Sequence, residues 1–104
     1  MTYVKIGEQL LPAHIRGRIM DLEWDRRESK AITLETTYQA VMDLFVDGLE
    51  WAIVEGEGEM QLVYDNSAYE VAGPVTDNRD GTVTVKMGKM TDGEALAELR
   101  EVLA

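Results

Sequence analysis

The segment Lys30–Gly48, KAITLETTYQAVMDLFVDG, changes its hydrophobic period part-way along, and that change sets the fold class. Ala31 to Glu35 alternates apolar and polar residues, the period of a strand with one buried face. After it, Tyr38, Val41, Met42 and Phe45 recur at i, i+3, i+4 and i+7, the stripe of an amphipathic helix. Thr36 is placed to cap this helix, Gln39 three residues on completes a capping box, and Gly48 suits the left-handed position after its end. The spacing predicts a helix from about Thr37 to Val46 whose aromatic stripe belongs to the core.

Strand patterns surround it. TYVKIGEQLLPAHIRGRIM (residues 2–20) reads as two extended runs about a turn at Gly7-Glu8, the second made irregular by Pro12 and Gly17, as at a sheet edge. Proline gives a ladder no amide hydrogen, and a glycine inside a strand marks a bulge or bend. LEWAIVEGEGEMQLVYDN (residues 49–66) gives two strands around a glycine-freed tip, and SAYEVAGPV gives another from about Ala68 to Ala72, bent or ended by Gly73-Pro74.

DNRDG (residues 77–81) invites comparison with a calcium loop. Aligning Gly81 to the sixth position of such a loop leaves Thr76 at the first and Met87 at the twelfth, where carboxylates are required. Asp80-Gly81 before the alternating TVTVKM is instead a tight hairpin turn. At the end of the chain Thr91 caps a second helix with Glu94 at its third position. Ala95, Leu96, Leu99, Val102 and Leu103 form one apolar face. That face either packs within the subunit, the reading adopted, or is offered to a partner.

These elements define an α+β domain spanning residues 1–104. It has a mainly antiparallel sheet, or small barrel-like sandwich, of about six strands, with helices at about 37–46 and 92–103 covering it. At 45% hydrophobic and 29% charged residues the composition is that of a chain that folds. No cysteine is present, which removes thiolate chemistry and cysteine metal sites, and no apolar run approaches the ~20 residues of a membrane helix. The expectation is a soluble, unexported protein.

The net charge of −10 is unevenly placed. Up to Glu35, six basic residues (Lys5, Arg16, Arg18, Arg26, Arg27, Lys30) balance six acidic ones, so the whole excess lies beyond it. Nucleic acid and anionic membranes are therefore poor partners for the C-terminal two thirds. DLEWDRRESK (residues 21–30) is the densest charge cluster, with Trp24 at its centre either anchoring a loop or standing out as a contact residue.

Catalytic patterns are missing. His14 is the only histidine, Ser29 and Ser67 are in no glycine-flanked elbow, and no phosphate-binding glycine motif occurs. The chain reads as non-enzymatic, with no catalytic, cofactor or metal residues. Its candidate interaction residues are Trp24, Arg26, Arg27, Leu99 and Leu103.

The opening hairpin, the W-D-x-R-x-S-K segment at Trp24, Asp25, Arg27, Ser29 and Lys30, the LFVDG helix end at Leu44 to Gly48, and the RDGTVTVKMG hairpin together resemble small prophage-encoded proteins of gut Firmicutes. The resemblance spans most of the chain and carries no catalytic residues. It implies a phage-related structural or assembly protein of a tail or baseplate module, found in the bacterial cytoplasm or in the virion. Such a protein acts through contacts with itself or with other phage proteins. The alternative is a monomeric acidic adaptor, a nucleic-acid mimic, that engages a basic protein partner.

Overall fold

A computed structural model describes residues 1–103, with side chains through Glu101. Seven strands and two α-helices follow in the order β1 (Thr2–Ile6), β2 (Gln9–Asp21), β3 (Arg27–Leu34), α1 (Tyr38–Leu44), β4 (Ala52–Glu55), β5 (Leu62–Asp65), β6 (Val71–Asp77), β7 (Val83–Gly88) and α2 (Asp92–Leu103). A short 3-10 turn at Gly58–Met60 lies between β4 and β5. The strands form one sheet in the order β5-β4-β1-β2-β3-β7-β6, with every neighbouring pair antiparallel. The α+β class holds, with seven strands where about six were expected.

The irregular second run, expected at an edge, is a central strand. Residues 9–12 of β2 pair with β1 and residues 13–21 with β3, so this strand joins the two halves of the sheet. Pro12 stands opposite Tyr3 at the handover. Its missing amide hydrogen falls where one ladder ends and the next begins, which is why a proline is tolerated there. Gly17 and Arg18 together oppose Lys30 as a bulge, since the register moves between Arg16–Ala31 and Ile19–Ser29.

Strand alternation builds the core. Val4, Ile32, Leu34, Ile53, Val83, Val85 and Met87 come together with Trp51, Tyr69 and the α1 side chains Val41 and Phe45. The buried line of α1 differs from the expected stripe: Val41 and Phe45 are in the core, Leu44 packs on it, and Tyr38 and Met42 remain about half exposed. The cap is Thr37, not Thr36, its hydroxyl accepting from the Ala40 amide at 3.1 Å. Gln39 makes no capping box and donates instead to Asp43 at 2.9 Å, an i, i+4 pair.

The strand expected at Ala68–Ala72 runs from Val71 through Gly73-Pro74 to Asp77. The dipeptide bulges it, shifting the register between Ala72 and Val75, without ending it. Proline is admissible because β6 is an outer strand. Asp80-Gly81 turns the β6–β7 hairpin, with Gly81 at φ 90° and the Asn78 amide donating to the Thr82 carbonyl. The Asp77 and Asp80 carboxylates fold onto the amides of Arg79 and Thr82.

Candidate functional site

The charge cluster after β2 becomes a tight turn in which Asp25 and Arg26 both adopt φ 57°. Consecutive left-handed residues other than glycine are strained, so packing must hold them. Trp24 supplies that packing. Its ring lies so close to β6 and β7 that a Cβ on Gly73 would come within 2.4 Å of it and one on Gly88 within 2.9 Å. The Arg27 guanidinium stacks on the same ring at 4.5 Å.

Arg27 is 4% exposed. It donates to the Lys89 carbonyl at 3.0 Å and in a fork to both Glu94 oxygens at 2.8 and 3.0 Å. Hydrogen bonding to Arg27, helped by the Thr91 amide, holds the Glu94 carboxyl down at about 2. Beside this group Lys86 pairs with Asp21 at 2.6 Å and lowers that carboxyl also. Among the described residues Arg27 Nε and the buried Ser29 hydroxyl have no hydrogen-bond partner.

Through Glu94 the cluster grips the start of α2. Thr91 and Glu94 form the expected capping box, the Thr91 amide donating to Glu94 at 2.9 Å and the Glu94 amide to the Thr91 hydroxyl at 3.3 Å. Beyond that first turn, the expectation of a helix lying on the sheet fails. Among the described residues α2 packs on no strand and not on α1, and Leu96 and Leu99 are about half exposed. A groove of about 400 Å³ separates its first turns from the body, walled by Asp47, Glu70, Glu94 and Glu98 with Val71 and Met90 between them.

The two sheet edges differ. At β6 the Gly73-Pro74 bulge, the Trp24 ring and the loop after α1 all guard the edge, with the Ala72 amide donating to Asp47 and the Gly48 amide to the Glu70 carbonyl, both at 2.8 Å. β5 has none of these. Its residues Leu62, Val63 and Tyr64 are 58%, 59% and 48% exposed. The Asn66 amide donates to the Trp51 carbonyl at 2.9 Å, which fixes the phase of the β4–β5 ladder. Hydrogen-bonded pairs alternate in an antiparallel ladder, so Leu62 and Tyr64 turn their peptide groups toward β4 while Val63 and Asp65 turn theirs outward.

Of the residues singled out from sequence, Trp24 and Arg27 meet in one cluster, and Arg26 is exposed in the strained turn beside them. Leu99 stands on the free flank of α2; the side chains of Val102 and Leu103 lie outside the described residues. The sequence reading did not single out β5, although Leu62, Val63 and Tyr64 in a row without a lysine or proline are the available signal. Among the described residues no helix is long and apolar enough to cross a membrane. No family model, curated protein or solved structure matches the chain.

Proposed function

We propose that this chain is a non-enzymatic, phage-related structural or assembly protein that works through protein–protein contacts, and that its self-contact is the β5 edge. The phage-related part is supported by the sequence resemblance. The contact part is carried by one observation: an apolar edge strand whose Val63 and Asp65 peptide groups face outward without a guard.

The edge is self-complementary. A two-fold axis at Val63 sets Val63 against its own copy as a hydrogen-bonded antiparallel pair, and Leu62 against Tyr64 of the partner subunit. Asp65 then falls opposite Gln61 of the partner subunit, so no like charges meet. Mass by light scattering over a hundredfold concentration range checks this. The native chain reaches a dimer or a larger closed assembly, whereas Val63→Lys, which puts a charge on the edge, stays monomeric. A native chain that is monomeric at every concentration contradicts the reading.

The acidic groove beside α2 favours a second reading, an adaptor for a basic partner. Four carboxylates, Asp47, Glu70, Glu94 and Glu98, flank apolar Val71 and Met90. That arrangement fits an apolar segment bordered by lysine or arginine, and repels a second copy of α2. Binding of such a partner weakens steeply with salt; affinity unchanged between low and high salt removes this reading.

A further inference from the structure

The core side of the sheet opens at one end into a cleft of about 460 Å³. Three of the chain's ten basic residues line it: Arg18, Lys30 and Lys89. This concentration is unexpected in a protein of net charge −10. Two of the three come from the charge-balanced first third of the chain, and the carboxylates that share the lining, Glu55 and Asp65, come from the acidic remainder.

The cations are unequally satisfied. Lys89 pairs with Glu28 at 3.1 Å, and Glu28 also accepts the hydroxyl hydrogen of Tyr69. Lys30 has only a neutral acceptor, the side-chain oxygen of Asn66, and stands 4.6 Å from the centre of the Tyr69 ring. Among the described residues neither Lys30 nor Arg18 has a carboxylate within ion-pair distance. Burial and the nearby charge of Arg18 push the Lys30 ammonium below its usual range. Burial, and the hydrogen bond to Glu28, push the Tyr69 hydroxyl up to about 12, so it remains a neutral donor.

The backbone is bent to make this arrangement. Arg18 adopts φ 46° in the bulge of β2, in the middle of the sheet, where Gly17 and Arg18 together face Lys30. A Cβ on Gly17 would already touch the Lys30 stem at 3.4 Å. A residue with a side chain at positive φ is strained, and a bulge re-aims the side chain it carries. Here the strain brings one cation toward another, a repulsion only partly offset by the approach of Arg18 to the Tyr69 hydroxyl and by the Glu28 charge. Asn66, 3% exposed, is fixed by its own donation to the Tyr64 carbonyl at 2.9 Å, so the acceptor that orients Lys30 is rigid.

We propose that this cleft binds a small oxyanion, a carboxylate or a phosphate, held by Arg18 and Lys30 against the Tyr64 and Tyr69 rings. The two carboxylates on its lining set the size limit. Asp65 is turned onto the amide and hydroxyl of Ser67, and Glu55 shares the lining. A small anion between the cations escapes both, while a polyanion such as nucleic acid runs into them. The site does not require self-pairing through Val63, although Tyr64 and Asp65 of its lining lie on the same strand.

The test is a titration of the full chain followed by backbone amide NMR, with inorganic phosphate in one series and sodium benzoate in another, at constant ionic strength. Saturable shifts confined to Arg18, Lys30, Asn66 and Lys89 are expected with at least one probe. Phosphate alone or benzoate alone then identifies the class. Arg18→Gly and Lys30→Gln each weaken binding about tenfold or more, the loss expected for a hydrogen bond to a charged group. Arg18→Gly also melts at or above the native temperature, because glycine accepts the positive φ. The proposal is overturned if neither probe saturates, if Arg18→Gly binds as tightly as the native chain, or if that variant melts well below it, which would make Arg18 a structural residue.

Discussion

β6 and β5 are the two outer strands of one sheet, and both leave a row of backbone groups without a neighbour, yet the chain treats them oppositely. β6 carries a glycine-proline bulge, a tryptophan laid across its glycine, and a loop that takes up the Ala72 amide and the Glu70 carbonyl. β5 carries three exposed apolar side chains in register and no bulge. An edge of the second kind is a liability unless it is used, and one of the first kind is built to be left alone. Contact with another copy is therefore expected at β5 and not at β6.

Removing the guard at β6 should have the largest effect. Gly73→Val puts methyl groups where a lone Cβ already comes within 2.4 Å of the Trp24 ring, so the ring must leave. A loss of about 1–3 kcal/mol is expected from such overpacking, measured by denaturant unfolding. The same variant should also begin to self-associate through β6. Unchanged stability would mean that Trp24 does not hold this edge.

Next comes the tie between the turn and α2. Glu94→Ala leaves the buried Arg27 guanidinium with only the exposed Asp25 carboxylate at 3.6 Å and should cost about 1–3 kcal/mol, together with part of the helical circular dichroism. Stability and helicity both unchanged would show that the ion pair does not fix α2.

A pH series sharpens this. The Glu94 carboxyl is held at about 2, below its ordinary 4.5, so the folded state binds its proton less readily than the unfolded chain does. Its contribution is therefore complete above about pH 4.5 and is lost as pH falls toward 2. Glu94→Gln should flatten the melting-temperature profile across that window. A profile parallel to that of the native chain contradicts the assignment.

The smallest effect on the subunit itself belongs to Val63→Lys. Its folding stability, measured where the protein is monomeric, should stay within about 0.5 kcal/mol of the native chain, as for other surface changes. A larger loss would mark β5 as a structural strand instead of an open edge.

How much of this was legible depended on range. The Thr91–Glu94 box involves neighbours in sequence and formed as read, and Gly81 took the positive φ read for it, though in a loop over residues 78–82 that also puts Arg79 at φ 58°. The α1 stripe was nearly right, but facing residues decided which of its side chains the core took, and Val41 and Phe45 were chosen over Tyr38 and Met42. β2 looked like an edge because Pro12 lacks a donor, and only the change of neighbour at that point shows why a central strand can hold it. α2 has the apolar face of a packed helix, and a stripe does not say whether its partner lies in the same chain. Gly17 announced a bulge; that the bulge would aim Arg18 at Lys30 requires β3 to be alongside, information no local pattern contains.

Amide hydrogen exchange at two concentrations, one below and one above the onset of self-association, distinguishes the two edges. The Val63 and Asp65 amides, which face outward in the isolated subunit, are expected to become protected only at the higher concentration, while the amides of β6 exchange identically at both. Protection appearing in β6, or Val63 and Asp65 exchanging at the same rate in an associated sample, would contradict that expectation.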